Sequence, residues 1–561
     1  MNHLLPKSLV STPRRVFAGI FVVLATSGGA WCQNAISNPP PAVHRDQKVE
    51  LAMKIRQPFT VVAVGDMIEM MPFSKYDNPD IQFLMNLMRS ADMTVANNEN
   101  TVVDRTTYRG QIGHMEAPAV VADDWANMGI KMMTKANNHT WDLGEEGVWA
   151  DFKELDRVGI VHVGVDTDLR EARMARYYST PKGIVGLVGV YAQNSAVTGG
   201  SEEKVSVTSE QLAQLRAMRE SITARQNEVP FPINAAPDPE GIVTVFGLVF
   251  TTEPAVAEPN GANAAPRAPS RTAQSNTLNL VTYNGVTSEQ MAQLKAIAGD
   301  KGVGNGDTLS AWGAYFKVAH GPGEYNYEMV PQDERDILRE VKSGKQFSDF
   351  EIATIHWHQN RFAFQHYSFD HYPADFEIKF AHDCIDQGVD AFYGHGVHTI
   401  KGVEIYKGKP IFYGVSNFVF QEQIFQDWRD DHGGPDRFSV RWTHTPLTGP
   451  IVGQGELDED QNAWMEQPAN MESILASMHY ENGLLTEVRI YPLTLGGTAR
   501  PGSQMGIPKR ADPEDAKRIL NEVVEFSKPF GTRIEIENGV GIIRVAHSNE
   551  DKPPSAPAPL W

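Results

Sequence analysis

The chain has 561 residues, enough for one large domain or two to three ordinary ones, and its composition is that of a globular protein. Its formal net charge of −20 excludes nucleic acid as a partner, because a phosphate polymer is repelled at long range. The same charge weakens any broad anionic-polymer surface but leaves room for a local cationic site.

Residues 1–30 have the layout of a signal peptide. Arg14 and Arg15 precede the apolar run AGIFVVLATSGGAW, with small residues at Gly28, Gly29 and Ala30. The run falls short of the ~20 apolar residues that a bilayer span takes. Arg14–Arg15 with Phe17 resembles a twin-arginine export signal, and an ordinary secretory signal is the alternative. Cys32 stands where a lipoprotein cysteine would, although Trp31 replaces the small residue such sites use. Export to the periplasm or the extracellular space is therefore expected, with membrane association if Cys32 is lipidated. Cys32 and Cys384 are too few for a disulfide scaffold. Residues 31–56 read as a linker.

Regular structure starts at residue 57. PFTVVAVGD is a buried strand, NPDIQFLMNLMRSAD an amphipathic helix with Ile81, Leu84, Met85, Leu87 and Met88 apolar, and MTVANNEN a second strand. PAVVADDWANMGI, IKMMTKANNH and EEGVWADFKELDRVG continue as helix, strand and helix. VHVGV and GIVGLVGVYA are further strands. This alternation predicts an α/β domain over residues 57–420.

From about 194 to 330 the regularity fades, and the segment reads as an insertion. Within it VTSEQLAQLRA is echoed by VTSEQMAQLKA, which points to two analogous helical hairpins or lobes. Regularity returns with the helix DERDILREVKSG, the strand FEIATIHWH, the helix FEIKFAHDCIDQG with Cys384 on its apolar side, and the strand VDAFYGHGVH. IKGVEIYKGKPIFYGVSNFVF gives two strands around a turn of Gly and Lys. Residues 421–548 complete the domain with a late hairpin strand and a terminal helix capped by Asp512. Residues 549–561 form a disordered tail by composition.

Polar residues gather where the predicted strands end: Asp66; Asn97 and Glu99; Asn137, Asn138 and His139; His356 and His358; His395 and His398. In α/β sheets the functional residues lie at such carboxyl ends. Singly, Asp66 reads as a turn or cap residue and Asn137–Asn138 as a turn. His356 and His358 are read as facing opposite sides of their strand, so that at most one joins a rim. His114, His366, His371 and His382 read as surface or capping residues, and Asp142 as shaping the turn. Taken together, carboxylate, amide oxygen and imidazole suit Mn, Fe, Zn or Mg. Such a centre clamps an oxyanion and acidifies water, and a histidine at the rim can protonate a leaving group.

VAVGDM (62–67), ANNENTV (96–102), ANNHTWDLGEEG (136–147), IHW (355–357), GHGVH (394–398) and KPIFYGVSNFVF (409–420) resemble motifs of the CapA/PgsA-type family. These are bacterial capsule-synthesis proteins associated with poly-γ-glutamate, with a fold similar to calcineurin-like metallophosphatases. The resemblance implies a metallophosphatase-like α/β/β/α sandwich holding one or two divalent ions, Mn, Fe or Zn. It implies that Asp66, Glu99, Asn138, His356, His395 and His398 are the ligands and His139 the catalytic acid. Asn97, His358 and Asn417 would face substrate. The chain departs from the pattern: HWG-x-E has become HWHQN, GHHPH has become GHGVH, and SLGNF has become GVSNF. Ile68 stands where metallophosphatases carry a histidine. Two functions compete: a metal-dependent hydrolase or transferase in envelope-polymer metabolism, and a non-catalytic polymer-binding or assembly subunit. Either implies a cell-envelope polymer or its precursor as partner, with a membrane-bound synthesis complex as a further one.

Overall fold

A computed structural model describes residues 47–111, 115–194, 204–226, 238–252, 273–319, 323–359, 361, 371–421, 468–496 and 504–547. The signal segment, the linker up to residue 46, the tail, Cys32, His114 and His366 lie outside the described residues.

The first half of the domain alternates strand and helix. Its elements are β1 (Phe59–Ile68), α1 (Pro79–Ser90), β2 (Met93–Asn98), α2 (Val120–Met128), β3 (Met132–Thr134), α3 (Gly144–Val158), β4 (Val161–Val163) and β5 (Gly183–Asn194). α1 starts where Asn78 Oδ1 accepts the backbone N–H groups of Asp80 and Ile81, and Pro79 supplies the first helical turn. Its buried residues Ile81, Leu84, Met85 and Met88 follow the helical period and face inward.

The inserted region carries α4 (Ser209–Gln226), β6 (Ile242–Val245), β7 (Leu248–Thr251), β8 (Thr277–Val286), α5 (Ser288–Ala298), β9 (Thr308–Ala311) and β10 (Ala314–Val318). Then follow α6 (Pro331–Phe347), β11 (Phe350–His356), α7 (Asp375–Asp386), β12 (Ala391–His395), β13 (Val403–Tyr406), β14 (Lys409–Phe412) and β15 (Asn417–Phe420). The C-terminal part adds β16 (Glu472–Glu481), β17 (Leu484–Thr494), α8 (Pro513–Ser527) and β18 (Val540–Arg544).

Two sheets form. The first runs from an edge strand at Glu535–Glu537 through β18–β17–β16–β1–β2–β3–β4, with β15 beside the far end of β1. The second runs β9–β10–β8–β5–β11–β12–β14–β13. β1–β4 are mutually parallel, as are β5, β11, β12 and β14. Three cores separate the layers. Val62 and Val64 of β1 pack on Leu84, Trp125 and Leu155 of α1–α3. Val61 and Ala63, the alternate residues, pack across to Leu187, Ile352 and Tyr393 of the second sheet. Val190, Ala353 and Phe392 turn outward onto Ile337, Phe380 and Cys384 of α6 and α7. The result is the α/β/β/α sandwich, each large buried side chain contributing roughly 1.5–3 kcal/mol.

The insertion is more regular than its sequence suggested. β8 pairs with β5 and so extends the second sheet. The two VTSEQ copies are capping boxes: Thr208 and Gln211 exchange side chain-to-backbone bonds, and so do Thr287 and Gln290. Each copy continues into a hairpin with positive φ at both turn residues, Phe246–Gly247 in one and Trp312–Gly313 in the other. Val205 pairs in parallel with Phe250, and Asn284 pairs likewise with Phe316. The aromatic contacts are reciprocal: Phe246 meets Phe316 at 5.2 Å, and Trp312 meets Phe250 at 5.4 Å. The expected two lobes are therefore one, a duplicated strand–helix–hairpin unit packed on itself around a shared core.

Candidate metal centre

The carboxyl ends of both sheets meet at one place. Asp66 lies in register with Asn97 on β2 and with Asn417 on β15, and His356 with His395. Gly65 permits this, since a Cβ there would run into the Ser416 carbonyl. Gly396 has φ +91°, and a Cβ would lie 2.7 Å from His356 Nε2, so the GHGVH glycine makes room for an imidazole.

Asp66, Asn97, Glu99, Asn137, His356, His395 and Asn417 are buried. Asn97 Nδ2 donates to Asp66 Oδ1 at 2.8 Å, and lies 3.3 Å from Glu99 Oε2 and 3.3 Å from His356 Nδ1. His395 Nδ1 is 3.3 Å from Asp66 Oδ1, and the Gly396 N–H donates to Asp66 Oδ2 at 3.0 Å. His398 adopts φ +57° and places Nδ1 2.7 Å from Asn417 Oδ1 and 3.6 Å from Asp66 Oδ2. His395 Nε2 and Asn417 Nδ2 are buried without a hydrogen-bond partner among the described residues.

Three donor sets have all their ligand atoms within 4.8 Å of one another: Asp66–His356–His395, Glu99–His356–His358 and Asp66–Glu99–His398. Mixed carboxylate and imidazole donors fit a divalent first-row ion, and the unpartnered His395 Nε2 fits a ligand position. Burial raises the Asp66 carboxyl, but the His395 hydrogen bond and charge, with those of His398 and Asn97, hold it at about 2. Burial, with the neighbouring imidazoles His358 and His395, pushes His356 far below the usual histidine range. Burial, then His398, takes His358 to about 3. Ionised carboxylate and neutral imidazole are the forms that bind metal.

His139 sits at the rim, with Nδ1 2.7 Å from Asp142 Oδ2 and Nε2 3.8 Å from Glu99 Oε1. Asp142 thus orients the histidine, a role beyond shaping the turn. Behind the cluster, buried Asp151 of α3 accepts from Asn98 Nδ2 at 2.7 Å and from the Val102 N–H at 2.8 Å. Lys135 Nζ donates to the Asn100 carbonyl. These bonds fix the loop that carries Glu99.

Several residues fall differently from the sequence reading. Asn138, expected as a ligand, is exposed. The inward amide is Asn137, whose Nδ2 donates to Asn97 Oδ1 at 3.1 Å and to the Asn98 carbonyl at 2.8 Å. Adjacent side chains at a strand tip diverge, so one of the pair turns in. His356 and His358 do not oppose each other: residues two apart share a face, and Trp357 alone turns away, donating to the Tyr413 carbonyl. His358 Nε2 lies 2.9 Å from His356 Nε2, inside the donor cluster. His371 is buried and stacked on Phe526, and His382 is stacked on Tyr406, so both are packing residues.

The family model described as "Bacterial capsule synthesis protein PGA_cap" matches residues 60–422. An uncharacterized protein of Sinorhizobium fredii, y4sH, is 30% identical over 497 residues, 87% of this chain and 93% of that protein. A "Probable polyglutamine synthesis accessory protein" of Mycobacterium tuberculosis is 32% identical over 120 residues, 21% of this chain and 28% of that protein. The PGA biosynthesis protein CapA of Bacillus subtilis is 29% identical over 94 residues, 17% of this chain and 23% of that protein.

Proposed function

The chain belongs to the bacterial capsule synthesis protein PGA_cap family, and from that premise we propose that it is an exported, divalent-metal-dependent hydrolase or transferase acting on a capsule or other cell-envelope polymer, or on its precursor. The observation that carries this reading is the buried carboxylate–imidazole cluster with His395 Nε2 unpartnered among the described residues and a histidine–aspartate pair at its rim. Export rests on the pattern of residues 1–30.

Asp66, Glu99, His356, His395 and His398 would hold the ion. When bound, a divalent cation there supplies Lewis-acid stabilisation of an oxyanion and acidifies water towards neutrality. The chain's own residues supply the rest. Asp142 accepts the Nδ1–H of His139, which fixes the tautomer and turns Nε2 towards the cluster. In the imidazolium form Nε2 carries the proton given to a leaving oxygen. Asn417 Nδ2 offers a buried donor to a substrate oxygen. The Lewis-acid centre is local, which is how an anionic substrate is held by a chain of net charge −20.

A second reading, a non-catalytic polymer-binding or assembly subunit, is favoured by Ile68, which lies in the apolar core and offers no donor. Turnover separates the two. The mature protein with Mn²⁺ is assayed on phosphoesters and on poly-γ-glutamate, with and without chelator. Chelator-reversible hydrolysis is expected, with kcat in His139→Asn reduced by ~10²–10⁴. Bound metal without turnover, together with polymer binding that survives Asp66→Ala, would establish the assembly role instead.

A further inference from the structure

We propose that the open face of the inserted lobe is a binding platform for a neutral glycan chain, with Tyr283 and Tyr315 as its stacking surfaces. The proposal rests on the envelope-polymer reading above and deepens it, naming the polymer's chemistry and its path to the metal cluster.

Register places the face. His356 pairs with Tyr191 on β5, and Tyr191 pairs with Thr277 on β8. Directly paired residues share a face of a sheet, and so do alternate residues along a strand. The face that carries His356 therefore continues through Tyr191, whose ring stands 5.8 Å from that of His356, to Val281 and Tyr283. β8 is parallel to β5, and Leu280 pairs with Asn194, the last residue of β5. Residues 281–286 thus project roughly 20 Å past the carboxyl end of β5, on the side of the rim. β10 and the strand Tyr325–Met329 flank this projection. Gly285 pairs with Lys317, Tyr283 with Asn326 and Val281 with Glu328, which puts Tyr315, Lys317, Asn326 and Glu328 on the same face.

The two faces of the projection differ. The reverse one is filled, with Leu280, Phe316 and Tyr327 buried. On the open one Val281, Tyr283, Tyr315, Lys317 and Asn326 are half-buried and Glu328 is exposed. The rings of Tyr283 and Tyr315 lie 5.7 Å apart, tilted at 48°. Lys317 Nζ stands 5.6 Å from the centre of the Tyr283 ring and donates to Glu328 Oε1 at 2.6 Å.

This chemistry selects the occupant. The charge of Lys317 is spent on Glu328, so it is a poor anchor for a polyanion, and the chain's net charge of −20 opposes one as well. Aromatic rings set beside amide, ammonium and carboxylate groups fit pyranose units, which present C–H faces to the rings and hydroxyls to the polar groups. A glycan lying along β8 from Tyr283 towards Tyr191 reaches the metal cluster without leaving the face.

The test reads binding, not turnover, and is run in chelator so that it is independent of bound metal. The full chain is applied to an array of neutral and acidic bacterial polysaccharide fragments with poly-γ-glutamate beside them. A retained fragment is then titrated against wild type and a Tyr283→Ala, Tyr315→Ala double variant. Retention of a neutral glycan is expected, with the variant binding it ~10-fold or more weakly. Hydrogen exchange of the wild type with the same glycan is expected to slow at residues 281–284 and 314–317, a result that stands even if the variant folds poorly. Retention of poly-γ-glutamate or acidic fragments only, or of nothing, would overturn the proposal. So would undiminished binding by a folded variant, or protection confined to other segments. A chain that binds the glycan yet holds no metal when loaded would overturn the metal-centre reading and leave the platform standing.

Discussion

Asp142 stands three positions after His139 and two before Gly144, where a turn residue is ordinary. Its carboxylate lies 2.7 Å from His139 Nδ1, which makes it the positioning residue for the rim histidine. Asp142→Asn keeps the shape and loses the acceptor charge. Its expected effect is a loss of about 10²-fold or more in kcat with KM kept, bound metal unchanged and the pH–rate profile moved. A fall in bound metal with an unmoved profile would make Asp142 merely structural. The same scale explains what could be read beforehand. Asp66, Glu99, His139, His356, His395 and His398 stand out in the sequence because each lies near the carboxyl end of a strand or in the loop that follows it, and each has ligand or proton chemistry. Which of two adjacent asparagines turns inward is decided by the bend that follows β3, where the Asn137 amide bonds Asn97 and the Asn98 carbonyl, and residue type alone does not distinguish Asn137 from Asn138. His358 shares a face with His356, against the expectation of opposite sides, because side chains two apart along a strand point the same way.

At the level of elements, β1 and α1–α3 are readable because their apolar patterns are long and the helices carry end signals, Asn78 before α1 and Gly129 and Gly159 after α2 and α3. β8 was missed: TLNLVTYNGV alternates burial residue by residue, and Asn279, Asn284 and Gly285 interrupt it. The VTSEQ repeat was visible, but its reciprocal packing depends on contacts between residues about 66 apart in sequence, which no local pattern encodes. The opposite pole of the second sheet carries a titratable device. At the start of β11, burial lifts the Glu351 carboxyl to about 8, against the Ser348 hydrogen bond and the Lys345 charge, which lower it. Asp390 and Lys54 also face it. Because the folded-state value exceeds the ordinary 4.5, this group's stabilisation is complete below about pH 4.5 and is lost as pH rises through about 8. Denaturant unfolding should show stability falling by a few kcal/mol across that window, with Glu351→Gln flattening the fall. An equally steep fall in the variant would assign the pH dependence elsewhere.

At the scale of the whole molecule, the two sheets are related so that their carboxyl ends share one rim, and every strong donor of the cluster comes from such an end. The fold thus explains why motifs more than 300 residues apart in sequence, such as VAVGDM and GHGVH, lie side by side. Membership of the capsule synthesis family places that site in the context of polymer metabolism, while the chemistry follows from the donors. The central claim is that the cluster is a metal centre. The measurement that tests it most directly is the metal content of the purified mature protein beside the Asp66→Ala, His395→Ala double variant, both with folding verified by circular dichroism. The prediction is about one to two equivalents of Mn, Fe or Zn in the wild type and none in the variant. A folded wild type without stoichiometric metal, or a variant that keeps it, would contradict the account.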